Sequence, residues 1–124
     1  MAIISFDPDT IIEYVPEYGG NRDSDEPCVV RLKFVPYSRA QHYQRVLDAA
    51  LRDVRDADRA ADIRARETRK QFVECVESVS NYYIGEREVT SPGEFYDSAD
   101  VALILEVMQA LTDAQRLSEG QRKN

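Results

Sequence analysis

The chain has no tryptophan, a single histidine (His42) and only two cysteines (Cys28 and Cys75) in 124 residues. These shortages exclude whole classes of chemistry. Two cysteines and one histidine cannot complete the ligand set of a structural zinc site, and they cannot form a disulfide framework. Cys75 sits among Phe72, Val73 and Val76, where a small buried hydrophobe is expected. The N-terminus lacks the basic start and long apolar run of a signal peptide, and no stretch approaches the roughly 20 apolar residues of a membrane span. A cytoplasmic protein with reduced thiols is expected.

Bases are scarce at both ends of the sequence. Residues 1–28 hold seven acids and one base, Arg22, and residues 74–113 hold nine acids and one base, Arg87. Residues 31–70 reverse this, with eleven bases against six acids, inside a chain of net charge −7. A nucleic-acid footprint over the whole surface needs the opposite sign. The basic middle and acidic flanks are expected to complement each other within the chain, and the charged helix face from Arg45 to Lys70 to pair with itself. The length suits one domain, 1–124, with one modest core.

What the sequence does have in surplus is apolar girth on one late segment. Ser98 to Leu117 reads as a helix in which Glu106, Gln109, Asp113 and Arg116 share one polar arc at about 100° per residue. Val101, Leu103, Ile104, Leu105, Val107, Met108, Leu111 and Leu117 take most of the remaining circumference. Such a helix needs cover on more than one side, from the chain itself or from a partner.

The rest of the chain reads as α+β, mainly α: a small N-terminal antiparallel β element, then three or four helices. Ala2–Phe6, Ile11–Val15 and Cys28–Val35 are candidate strands, bounded by Asp7-Pro8, Pro16 and Pro36. Glu17–Pro27 is an acidic loop without periodicity, expected to be mobile. Residues 1–37 thus form a β-rich start, 38–119 a helical body and 120–124 a frayed tail.

Ser38 with Gln41 fits a capping box opening a helix. From there one helical phase runs on through Val54, Ala57, Ala61, Ala65, Thr68, Phe72, Val76 and Val79 to Tyr83. Either one helix covers Ser38 to about Tyr83, or two helices meet at a bend near Asp56–Asp62; a globule of this length favours the bend. Gly85 is expected to stop the helix. Ser91, Pro92 and Glu94 signal a further start carrying Phe95 and Tyr96. Asp97 or Ser98 is expected to cap the last helix, and Gly120 to end it.

Catalytic signals are weak. Ser38 and His42 are one helical turn apart, but no orienting group or oxyanion donor accompanies them. Gly19-Gly20 lacks the spacing of a phosphate loop, and Asp7, Asp9 and Glu13 lack that of a calcium loop. No catalytic, cofactor-binding or metal-ligating residue is assigned, and neither enzymatic activity nor a cofactor is expected. The candidate partner-binding residues are apolar and aromatic: Tyr82, Tyr83, Phe95, Tyr96, Val101, Ile104, Leu105, Met108 and Leu111.

The order of parts carries a resemblance. A short acidic, β-forming start leads into VVRLKFVPYSRAQ, then a charged helix, then VECVESVSNYYIGEREVTSPGEF, an apolar helix and a terminal RKN. Over roughly residues 28–124 this resembles the small tail-assembly chaperones of long-tailed bacteriophages and prophages. The resemblance implies a non-enzymatic cytoplasmic protein of a bacterial host. It would bind a long, helical, aggregation-prone tape-measure-type protein, with the tail-tube subunit as a further candidate partner and self-association as another option. Nucleic acid and membrane are not expected partners. The competing readings are a small nucleic-acid-associated or regulatory protein using residues 45–70, and a self-associating virion component.

Overall fold

The computed structural model describes residues 2, 7 and 9–122, with only the backbone described from 114 onward. The strand expected over Ala2–Phe6 therefore lies, apart from Ala2, outside the described residues. The Asp7-Pro8 stop gives way to a turn in which the Thr10 N–H donates to the Asp7 carbonyl at 2.9 Å. Strand β1 (Ile11–Tyr14) follows and pairs antiparallel with β2 (Val29–Lys33).

The third strand of the sheet comes from much further along the chain. It is β3, Val76–Ser80, and the sheet order is β1-β2-β3, antiparallel throughout. This corrects the reading of Phe72–Ile84 as continuous helix. Val76 and Val79 are three residues apart, which is a helical spacing and not the alternation of a strand. A register shift between Arg31 and Leu32 absorbs the odd residue, so that Val79 meets Val30 while Val76 meets Leu32. All four valine and leucine side chains are buried. The bulge thus lets a helix-spaced pair serve a sheet.

Between β2 and β3 lie two helices, α1 (Tyr37–Leu51) and α2 (Ala57–Cys75), which pack on each other. The break falls at residues 52–56, just ahead of the expected bend, because Asp56 caps α2 by accepting the Asp58 N–H at 2.9 Å. The capping box expected at Ser38 does not form. Helix α1 starts at Tyr37 with Pro36 as its cap residue, which already places Ser38 inside the first turn. Helix α2 passes into β3 without a loop, the Val76 backbone switching to extended angles of φ −101° and ψ 119°.

Gly85 takes the left-handed conformation expected of it, at φ +63°, but in a different role. It opens the two-residue turn of a hairpin between β4 (Tyr83–Ile84) and β5 (Arg87–Glu88). The body assigned to helix over 38–119 therefore contains three strands. Helix α3 (Pro92–Ser98) begins as read, with the Ser91 hydroxyl accepting the Glu94 N–H at 3.5 Å. The Glu94 side chain does not reach back; it grips Arg87 through two hydrogen bonds of 3.0 and 2.6 Å. Helix α4 (Val101–Arg122) is opened by Asp100, whose carboxylate accepts the Ala102 N–H at 2.8 Å, and not by Asp97 or Ser98. It runs through Gly120, the stop read from the sequence.

The core joins the inner face of the sheet (Val30, Leu32, Val76, Val79) to Phe72 of α2, Phe95 of α3 and Leu103, Ile104 and Val107 of α4. Phe95 stands at its centre, 6.2 Å from the Phe72 ring and edge-on to Tyr82 at 4.9 Å. The fold is α+β, mainly α, as expected. Part of the anticipated charge complementarity is also present, since Arg69 of α2 forks onto Asp97 of α3 through two 2.9 Å bonds.

Candidate interaction surface

Over residues 101–113, whose side chains are described, helix α4 buries one side. Leu103, Ile104 and Val107 face the sheet, whereas Val101 is 73% and Leu105 58% exposed. Val101, Leu105, Met108 and Thr112 recur at i, i+4, i+7 and i+11, so they form one stripe along the helix. The reason for the exposed stripe lies on the neighbouring side. The polar arc expected to face water is partly turned inward, because Glu106 is the anchor of the N-terminal segment.

The Glu106 carboxylate accepts the Tyr14 hydroxyl at 2.5 Å and the backbone N–H groups of Glu17 and Tyr18 at 2.7 and 3.1 Å. Burial pushes this carboxyl up, but the Tyr14 hydroxyl, the two N–H groups and the Arg22 charge outweigh it and hold it below its ordinary value. Its partner Tyr14 is pushed up to about 12, by burial first and then by the bond to Glu106. Asn21 closes the same segment from within: its amide donates to the Pro16 and Cys28 carbonyls and accepts the Cys28 N–H. The acidic loop expected to be mobile is thus a 3-10 turn, Tyr18–Asp23, tied to α4 and to the start of β2. Gly19 and Gly20, at φ +59° and +72°, let the turn reverse there.

Glu106→Gln removes the charge from three hydrogen bonds and is expected to cost about 1–2 kcal/mol at neutral pH. The folded-state pKa is depressed, so the carboxylate's contribution is present above the unfolded value and lost as pH falls through the folded one. Urea midpoints taken from pH 7 downward should therefore converge for the two proteins in acid. Parallel curves over the whole range would show that Glu106 is no anchor.

Beside the stripe, a cleft of about 360 Å³ opens between α1, α2 and α4. Ala40, Thr68, Gln71, Cys75, Met108 and Leu111 line it, and among the described residues no charged side chain does. Burial pushes the Cys75 thiol up, and the Tyr43 hydroxyl lies 3.5 Å from its sulfur while donating to Glu74 at 2.8 Å. Cys28 is likewise pushed up, to about 11, by burial. Both thiols are thus held in the protonated form, which is a poor nucleophile. The cleft offers apolar surface and a few neutral polar groups to whatever enters it.

The nine candidate residues separate accordingly. Val101, Leu105, Met108 and Leu111 come together on the stripe and in the cleft. Phe95 and Ile104 are core residues, 0% and 8% exposed, and supply no contact surface; this corrects their place among the candidates. Tyr96 is half-buried against Phe72 at 5.0 Å, and Tyr82 is half-buried with its hydroxyl 3.3 Å from that of Ser98. Tyr83 is exposed, but on the β4–β5 hairpin and apart from the stripe. Thr112, Ala40, Thr68 and Gln71 were missed, although the spacing of Thr112 with Val101, Leu105 and Met108 was visible. Ser38 and His42 both lie exposed on α1. Among the described residues, no group of three His, Cys, Asp or Glu side chains is placed to hold a metal ion, and no helix is long and apolar enough to cross a membrane.

No protein family, curated protein or solved structure matches this chain.

Proposed function

We propose that this chain is a non-enzymatic binding protein for apolar helical segments, of the phage or prophage tail-assembly chaperone type, working in the cytoplasm of a bacterial host. The observation that carries the reading is the exposure of Val101 and Leu105 on a helix whose other side is already packed. A stripe at i, i+4, i+7 and i+11 is the form in which one helix receives the apolar edge of another. The uncharged cleft extends that stripe, and a net charge of −7 would keep a loaded complex soluble. The partner implied by the family likeness is a long tape-measure-type protein that aggregates on its own.

Co-expression tests this reading. A long, coiled-coil-rich protein encoded next to this chain should shift from the pellet to the soluble fraction and co-purify with it. The complex should survive high salt, because apolar contact is not screened. An unchanged pellet would refute the chaperone reading.

A further inference from the structure

The two-helix arm formed by α1 and α2 leaves its own seam unfinished. Helix α1 has no fully buried residue along its length. Its Ala40, Gln44 and Leu47 line a second groove against Thr68 and Gln71 of α2. Toward the start of α2 the same line continues at helical spacing through Arg64, Ala61 and Ala57, all exposed. The small side chains of Ala57 and Ala61 allow a second helix to approach closely at that end, as at the seams of helical bundles.

The charges beside this seam are of both signs and, among the described residues, stand outside any ion pair, Asp48 accepting the Gln44 amide N–H at 2.9 Å. Helical spacing puts Arg45, Asp48 and Arg52 on the outer flank of α1, and Asp58 and Asp62 on that of α2. Among the described residues, none of these five enters an ion pair. The self-pairing expected of the charged middle is confined to Arg66 with its neighbour Glu67, at 3.7 Å. A partner of one sign, such as nucleic acid, would meet repulsion from part of this set. A second copy offers each flank the opposite sign, although the twofold axis also brings Arg64 of the two copies to the same height. With a twofold axis running along the arm, α1 of one copy lies antiparallel over α2 of the other, and the mainly basic flank faces the acidic one. Arg52 and Asp58 lie at the same end of the arm, with Arg45 and Asp62 further in.

We propose that the α1–α2 face is the interface of an isologous homodimer that closes as an antiparallel four-helix bundle. The seam shares Ala40, Thr68 and Gln71 with the edge of the cleft but neither Val101 nor Leu105 of the α4 stripe, so substitutions at Ala61 and on the stripe separate dimerisation from partner capture.

The test is sedimentation equilibrium of the whole chain. The expected mass is twice that of one chain. Ala61→Arg changes a side chain that is exposed in the single copy. It should give a monomer with an unchanged circular dichroism spectrum, and it should still solubilise the long partner. Arg52→Asp should raise the dissociation constant about tenfold, since the twofold axis breaks each pair twice. Arg52→Asp combined with Asp58→Arg should bring it back. A wild-type monomer at high concentration, an Ala61→Arg dimer, or no recovery in the charge swap would each overturn the proposed interface. So would retention of the arm on duplex DNA that fades steeply with salt.

Discussion

Phe95→Ala is expected to remove about 3–5 kcal/mol of folding stability, the largest loss of any single truncation in this chain. Phe95 is fully buried and its ring contacts two other parts of the fold. Its ring meets Phe72 of α2 and Tyr82 ahead of the hairpin, and its own helix leads directly into α4. Truncation leaves a cavity that neither the sheet nor the helices can close without moving the other. A domain of this size holds on the order of 5–15 kcal/mol in total, so the variant would be partly unfolded at modest urea. Tyr83→Ala, on an exposed side chain, should change stability by no more than about 0.5 kcal/mol. Urea unfolding followed by far-ultraviolet circular dichroism makes the comparison. A loss below about 1 kcal/mol for Phe95→Ala would mean that the core is not centred where the packing places it.

Much of this architecture was legible in the sequence, and the parts that were not share a cause. Ile11–Tyr14 and Val29–Lys33 announce themselves by alternation and by bounding prolines. Ser91-Pro92 marks α3 because a hydroxyl cap and a proline at the first helical position are local devices that need no tertiary context. Val76–Ser80 was hidden because its valines keep the phase of the helix before it, and only the bulge opposite Arg31 makes them a strand pair. The Gly85 hairpin was hidden because a left-handed glycine ends helices and turns hairpins equally well. For α4, the sequence gives the surplus of apolar girth but not which side is covered. Glu106 reads as a solvent residue, and only its contacts with Tyr14, Glu17 and Tyr18 turn that side inward and leave Val101 and Leu105 outside.

The second large effect follows from that orientation. Val101→Asp with Leu105→Asp should leave folding stability nearly unchanged, because both side chains already stand in water. Capture of an apolar helical partner should fall by about a hundredfold or more. Burying one leucine contributes about 1.5–3 kcal/mol, and each new carboxylate would have to be desolvated against the partner. The same pair of substitutions should leave the proposed dimer intact, since neither lies on the α1–α2 arm. If the double variant unfolds at the same urea concentration as the wild type yet still solubilises the long protein, the stripe is not the docking site.

The most direct measurement is a methyl-resolved magnetic resonance titration of the wild-type chain with a helical fragment of its long partner. Val101, Leu105 and Met108 should shift first and furthest, with Val30 and Val79 on the inner face of the sheet staying in place. Shifts that avoid α4 altogether, at fragment concentrations that saturate binding, would contradict the claim that this helix keeps its outer side for another protein.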